Sequence, residues 1–154
     1  MAAKPNSTVQ DLRREILAWV RETEALLTTC QVLVEYFGTD EEIQSFVEAS
    51  QGARRMLKGM AVLVRSRFER RVKAEARSMK FACSVELAVI LSPILQVLAT
   101  PVPDFVAKAR RDLSAAHASN VVNTLGLFMG IMAENIYTPV WAIHRHLAPD
   151  GYPL

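Results

Sequence analysis

Hydrophobic positions recur at helical spacing through the first part of the chain. From Val9 to Phe37 they fall alternately three and four residues apart, which is the heptad pattern of one helix face. The members of this seam are Val9, Leu12, Ile16, Trp19, Thr23, Leu26, Cys30, Leu33 and Phe37. Ser7 and Gln10 have the spacing of a capping box before the seam, and Gly38 follows it. The pattern predicts a first helix of about 30 residues that ends at Gly38.

A second helical region follows in two predicted parts. Thr39 and Glu42 have the spacing of another capping box, so we expect a short helix that reaches Gln51. A break is expected at Gly52, and the alternative is a helix that bends through this glycine. Residues 53–92 then have helical periodicity, which predicts the second long helix. On that helix the basic side chains would share a sector of about 160°, opposite the hydrophobic ones.

Two long stretches of the second half hold only one charged residue, Glu86. These stretches, residues 81–102 and 113–133, are 22 and 21 residues long and so reach membrane-spanning length. Polar residues and Pro93 interrupt them, which favours a hydrophobic helical hairpin buried by other helices or by neighbouring subunits over membrane insertion. A short last helix is expected over residues 141–147.

No alternating, strand-like run of useful length occurs in the sequence. The predicted fold class is therefore all-α, a helical bundle with two long helices and a hydrophobic helical hairpin. Its 154 residues are the size of one domain, so residues 1–154 are expected to fold as a single α-helical unit.

Composition excludes several classes of protein. Half of the residues are hydrophobic, which excludes general disorder, and two cysteines cannot form a disulfide scaffold or a four-thiolate zinc site. His144 and His146 are two residues apart and would point to opposite sides of a helix, so no metal site is expected. We find no catalytic signature and predict a non-enzymatic protein without a cofactor. The polar N-terminus lacks a secretory signal, which predicts an intracellular, cytoplasmic setting or a place in a virion.

Charge is distributed unevenly, although the net charge is only +2. Residues 53–80 hold ten basic and two acidic side chains, whereas residues 1–52 hold four basic and nine acidic ones. Several Arg and Lys side chains on one face suit phosphate recognition, and Arg predominates here. The candidate nucleic-acid-binding residues are Arg54, Arg55, Lys58, Arg65, Arg70, Lys73, Arg77 and Lys80. Pairing with the acidic N-terminal third, with a partner protein or with anionic lipid is the alternative.

Self-association is the second expectation. The seam residues Val9, Leu12, Ile16 and Trp19 could pack on a neighbouring subunit, and Gly126 and Gly130 have a spacing that permits close helix approach. The layout broadly resembles the helical coat proteins of filamentous viruses, which implies a structural protein that packages DNA or RNA and forms a homo-oligomer or filament. The alternatives are a small helical adaptor or regulator that binds a partner helix, and a membrane-active protein with a hydrophobic hairpin.

Overall fold

The computed structural model describes residues 5–73 and 79–153, and every regular element in these ranges is helical. The predicted all-α bundle with a hydrophobic helical hairpin is confirmed. The helices are α1 (Pro5–Phe37), α2 (Asp40–Arg65), α3 (Val85–Leu98), α4 (Val102–Asp112), α5 (Ala115–Met132) and α6 (Thr138–Ile143).

Helix α1 follows the predicted seam closely in its first half and less closely in its second. It begins at Pro5, before the predicted cap, and ends directly before Gly38 as expected. Its buried residues are Leu12, Ile16, Trp19, Val20, Thr23, Leu27, Cys30 and Val34. An α-helix turns every 3.6 residues, so the buried stripe drifts away from a strict seven-residue repeat. For this reason Phe37, the last predicted seam member, is 57% exposed.

Helix α2 differs from the prediction at both its middle and its end. The predicted capping box is present: the Glu42 amide donates to Thr39 Oγ1 over 3.2 Å, and the Thr39 amide donates to Glu42 Oε1 over 3.0 Å. The predicted break at Gly52 is wrong, because the helix continues through this buried glycine. The predicted long helix over residues 53–92 is also wrong, since α2 ends at Arg65 and α3 begins only at Val85.

Two residues in left-handed backbone conformation end α2. Arg67 and Phe68 have φ angles of 57° and 67°, which a right-handed helix cannot continue. Phe68 is fully buried, and its carbonyl accepts a 2.8 Å hydrogen bond from Asn120 Nδ2 on α5. Burial of the ring and this hydrogen bond hold the reversal in place.

Helices α1 and α2 form an antiparallel hairpin. Arg13 Nε donates to the carbonyl of Val64 over 3.0 Å, and Arg54 NH2 donates to Gln31 Oε1 over 3.2 Å. The connection is tight at Gly38, where a Cβ atom would lie 2.6 Å from the carbonyl oxygen of Val34. The start of α1 therefore lies beside the end of α2.

The hydrophobic hairpin consists of α3 and α4, joined by a turn over residues 99–101. Its second arm therefore precedes the uncharged stretch 113–133 that was expected to form it. Both helices pack on α1, and α4 also packs on α5. Trp19 lies at this junction: its Nε1 donates to the Leu98 carbonyl over 2.9 Å, and its ring meets Phe105 and Phe128 edge-on. Within the described ranges, residues Val85–Asp112 are long and apolar enough to cross a membrane, a test that the core helices of soluble proteins also pass.

The second uncharged stretch forms α5, which packs on α2 and α4. Pro139 does not end the helical path, because a π-helical turn over Ala133–Tyr137 leads directly into α6. The predicted last helix over residues 141–147 starts three residues earlier, as α6, and finishes as a 3₁₀ turn over Arg145–Leu147.

Candidate nucleic-acid interface

The basic residues of α2 lie in two different environments. Lys58 and Arg65 are exposed on its outer face, near its C-terminal end. Arg54 is half-buried and binds α1 through Gln31 and through Thr28 Oγ1, at 3.4 Å. Of the predicted binding residues on α2, Arg54 therefore connects two helices, whereas Lys58 and Arg65 face solvent.

The chain after α2 adds more cations to the same end of the molecule. Arg67, Arg70, Arg71 and Lys73 are all exposed. The segment lies back along α2, because a Cβ atom at Gly59 would be only 2.6 Å from Val72 Cγ1. Since Gly59 is less than two turns from Arg65, these cations lie beside the last turns of α2.

Helix α1 contributes one further cation, because the hairpin places Arg13 next to Val64. The seven residues gathered here are named the basic end: Arg13, Lys58, Arg65, Arg67, Arg70, Arg71 and Lys73. A cleft of about 290 Å³ opens between α1 and the segment that follows α2, and it is lined by Val9, Gln10, Arg13 and Arg67.

In the parts of the chain that the structure describes, no carboxylate forms an ion pair with the basic end, although exposed Glu69 stands between Arg67 and Arg70. Ion pairs there join Arg14 to Asp11, Lys108 to Glu15 and Asp104, and Arg111 to Asp112. Glu15 of the acidic N-terminal third thus pairs with Lys108 of α4, at 2.9 Å. No carboxylate in residues 5–73 or 79–153 lies within 4.0 Å of a cationic nitrogen of the basic end.

The remaining predicted binding residues are not part of the basic end. Lys80 is exposed but lies near the start of α2, where Ser45 Oγ donates to its carbonyl over 3.3 Å. Twenty residues of helix separate Ser45 from Arg65, a distance of about 30 Å. Arg55 is exposed and lines a cleft with Glu48 and Gln51. Arg77 lies outside the described residues.

Three cations of the basic end were missed by the sequence prediction. Arg67 and Arg71 fell on the hydrophobic side of a helix that the chain does not form, and Arg13 belongs to a different helix. The short Gly38 connection was the available signal for Arg13, because two helices joined so closely run antiparallel.

The opposite end of the α1–α2 hairpin is negatively charged. Five carboxylates, named the acidic end, lie around the Gly38 connection and the start of α3: Glu35, Asp40, Glu41, Glu42 and Glu86. Glu42 joins the two regions because its Oε2 accepts a 2.7 Å hydrogen bond from the Ser84 amide. Partial burial acts to raise the pKa of Glu42, but hydrogen bonds from Ser84 and Thr39 outweigh it and lower the pKa.

An exposed aromatic pair accompanies the acidic end. Tyr36 is 80% exposed and Phe37 57%, and their ring centroids are 4.7 Å apart. Val32, one turn earlier on α1, is 56% exposed. These side chains form an apolar surface beside the carboxylates.

The predicted self-association residues are divided between core and surface. Leu12, Ile16 and Trp19 are buried in the chain's own core, where they do not offer a surface to a second copy. Val9 is half-buried, whereas Gly126 and Gly130 are exposed and a Cβ atom at either would meet nothing within 4 Å.

The nucleophilic and metal-binding side chains are mostly in structural positions. Burial raises the pKa of the Cys30 and Cys83 thiols to about 12, which leaves both protonated and unreactive near neutral pH. His144 Nε2 donates to the Cys83 carbonyl over 3.1 Å. Among residues 5–73 and 79–153 no group of three or more His, Cys, Asp or Glu side chains could hold a metal ion.

The fold and this charged surface define the chain as an all-α helical bundle with one cationic end. No protein-family model matches it, and no curated sequence and no solved structure is significantly similar to it.

Proposed function

We propose that this protein is a non-enzymatic, self-assembling structural protein that binds nucleic acid through the basic end. The observation that carries the proposal is the gathering of seven cations from α1, α2 and the following connection, with no carboxylate of the described residues in ion-pair contact. Concentrated, unpaired Arg and Lys side chains are what the phosphate backbone requires.

Arginine predominance supports phosphate as the ligand. Five of the seven cations are arginines, whose planar guanidinium groups can donate two hydrogen bonds to one phosphate. The contacts would be to the backbone of the nucleic acid, which predicts weak sequence preference and strong dependence on salt.

Charge reversal at the basic end tests the proposal. Replacing Arg65, Arg70 and Lys73 with Glu is expected to weaken binding to duplex DNA and to single-stranded RNA by about 100-fold or more at about 50 mM salt, because three phosphate contacts become repulsions. All three side chains are exposed, so helix content measured by circular dichroism should not change.

A matched control variant keeps the same change in net charge. Arg21, Lys80 and Arg145 are exposed and lie outside the basic end, and their replacement with Glu should alter affinity only a few-fold. Equal losses in both variants would mean that net charge alone governs binding, and the assignment to the basic end would then be abandoned. Stronger binding to anionic vesicles than to either nucleic acid would mean that the basic end binds anionic lipid instead.

A groove between the segment before α3 and the end of α5 with α6 favours a second candidate, an adaptor that receives a partner helix. The groove has a volume of about 650 Å³ and is mostly apolar, with Phe81, Gly130, Ala133, Pro139 and Ile143 among its lining residues. Amphipathic helices bind in grooves of this kind. A stable monomer that binds an amphipathic peptide and no nucleic acid would favour this function.

A further inference from the structure

The two ends of the α1–α2 hairpin have opposite charge and are far apart. Helix α2 has 26 residues, which corresponds to about 39 Å between its acidic start and its basic finish. Asp40, Glu41 and Glu42 in its first turn suit the helix dipole, so these carboxylates have a local explanation. The exposed apolar surface beside these carboxylates has no such local explanation.

The aromatic pair at the acidic end is only partly covered by the described part of the chain. Tyr36 and Phe37 are the last two residues of α1, and most of each side chain is in solvent. Large exposed aromatic side chains next to an apolar neighbour, here Val32, are typical of protein-protein contacts. Because carboxylates adjoin the aromatic pair, a matching partner surface would combine an apolar contact with positive charge.

The basic end of the same chain offers such a surface. Its cleft has Val9 as an apolar wall, Gln10 as a polar neighbour, and the Arg13 and Arg67 guanidinium groups at its sides. An aromatic ring that enters it would lie against guanidinium groups, an arrangement that the ring's negative face favours. Glu35 and Asp40 would then approach the remaining cations of the basic end.

We propose that Tyr36 and Phe37 of one copy dock into the Val9–Gln10–Arg13–Arg67 cleft of the next copy, with the acidic end facing the basic end. The charge complementarity of the two ends selects a second copy of this chain as the occupant. The contact rests on the self-assembly of the proposed function and does not require nucleic acid. Because it uses Arg13 and Arg67, it competes with nucleic acid for that part of the basic end. Because different surfaces meet, the contact is head-to-tail and can continue into a ring or filament.

Two complementary variants test the proposal by sedimentation velocity on nucleic-acid-free protein. Wild type should show species larger than the 17.2 kDa monomer at about 50 mM salt, and mostly monomer at about 500 mM, where charge attraction is screened. Tyr36→Ser with Phe37→Ser removes the aromatic pair, and Gln10→Glu with Arg67→Glu reverses the cleft. Each variant alone should remain monomeric at both salt concentrations.

The decisive sample is an equal mixture of the two variants. Each retains one intact surface, so the mixture should form a species of twice the monomer mass and grow no further. A wild type that is monomeric at low salt, a mixture that stays monomeric, or either double variant assembling as wild type does would overturn the proposal.

Two further measurements separate this inference from the proposed function. Val97→Ser removes an exposed apolar side chain at the other end of α3, beside the middle of α1, and should leave assembly unchanged, so loss of assembly here alone would place the interface on α3. The Tyr36→Ser, Phe37→Ser variant should retain nucleic-acid affinity within a few-fold at nanomolar protein. Loss of binding in that variant would mean that the aromatic pair contacts nucleic acid, and the docking proposal would be withdrawn.

Discussion

At the residue scale, two glycines show that the neighbouring atoms decide whether a Cβ atom can be added. Gly59 is required by packing, since a Cβ atom there would be 2.6 Å from Val72. Gly126 sits on an open helix surface with nothing within 4 Å of the same position. Sequence spacing singled out Gly126, with Gly130, and did not point to Gly59, because the neighbour of Gly59 is 13 positions away and outside its helix.

The two glycines therefore predict opposite effects of the same substitution. Gly126→Ala should raise the free energy of unfolding by about 0.5–1 kcal/mol, because alanine stabilises an exposed helix interior. Gly59→Ala gains the same helix propensity, but displacement of the stiff Val72 side chain costs about 1–3 kcal/mol, so a net loss is expected. Urea unfolding of the two variants checks this. Stabilisation by Gly59→Ala would show that Val72 does not hold the chain after α2 against that helix.

At the element scale, what could be predicted depended on whether the signal was local. The first helix, its end at Gly38 and the Thr39–Glu42 capping box follow from residues close together in sequence, and all three are confirmed. The end of α2 could not be predicted in this way. Arg67 and Phe68 adopt left-handed angles because the Phe68 ring is buried and Asn120 of a distant helix binds its carbonyl.

The candidate site shows the same contrast between local sequence signals and contacts between distant residues. Composition identified the basic segment correctly, and Lys58, Arg65, Arg70 and Lys73 do lie at one end of the molecule. The helical geometry assumed for the rest was wrong. Lys80 was therefore grouped with Arg65, although the two are about 30 Å apart, and Arg67 and Arg71 were left out. The position of Arg13 needed the antiparallel pairing of α1 with α2.

Glu42 couples the starts of α2 and α3 and predicts a pH dependence of stability. Hydrogen bonds from Ser84 and Thr39 lower its pKa in the folded protein below the ordinary value of 4.5. A lowered folded-state pKa stabilises the fold above the unfolded pKa, and that contribution disappears as pH falls through the folded pKa.

Replacement of this carboxylate isolates its contribution. Glu42→Gln should be less stable than wild type at about pH 7, and the difference should shrink on acidification below the unfolded pKa, where wild-type Glu42 also becomes protonated. Chemical unfolding across that pH range is the measurement. A difference that is constant with pH would mean that packing of the side chain, and not its charge, is what stabilises the junction.

At the scale of the whole molecule, positive and negative charges are separated, although the net charge is close to zero. Cations collect where α1 begins and α2 ends, and carboxylates collect around the connection between the two helices. Solubility and partner choice will therefore depend on ionic strength more than a net charge of +2 suggests. Both proposals use this arrangement, one toward phosphates and the other toward a second copy.

The salt dependence of nucleic-acid affinity tests the central claim most directly. If six cations of the basic end contact phosphates of duplex DNA, the slope of log affinity against log salt should be about −5. The Arg65, Arg70 and Lys73 charge-reversal variant should lose at least half of that slope, whereas the Arg21, Lys80 and Arg145 variant should keep it. Absence of binding at about 50 mM salt, or equal slopes in all three proteins, would contradict the account.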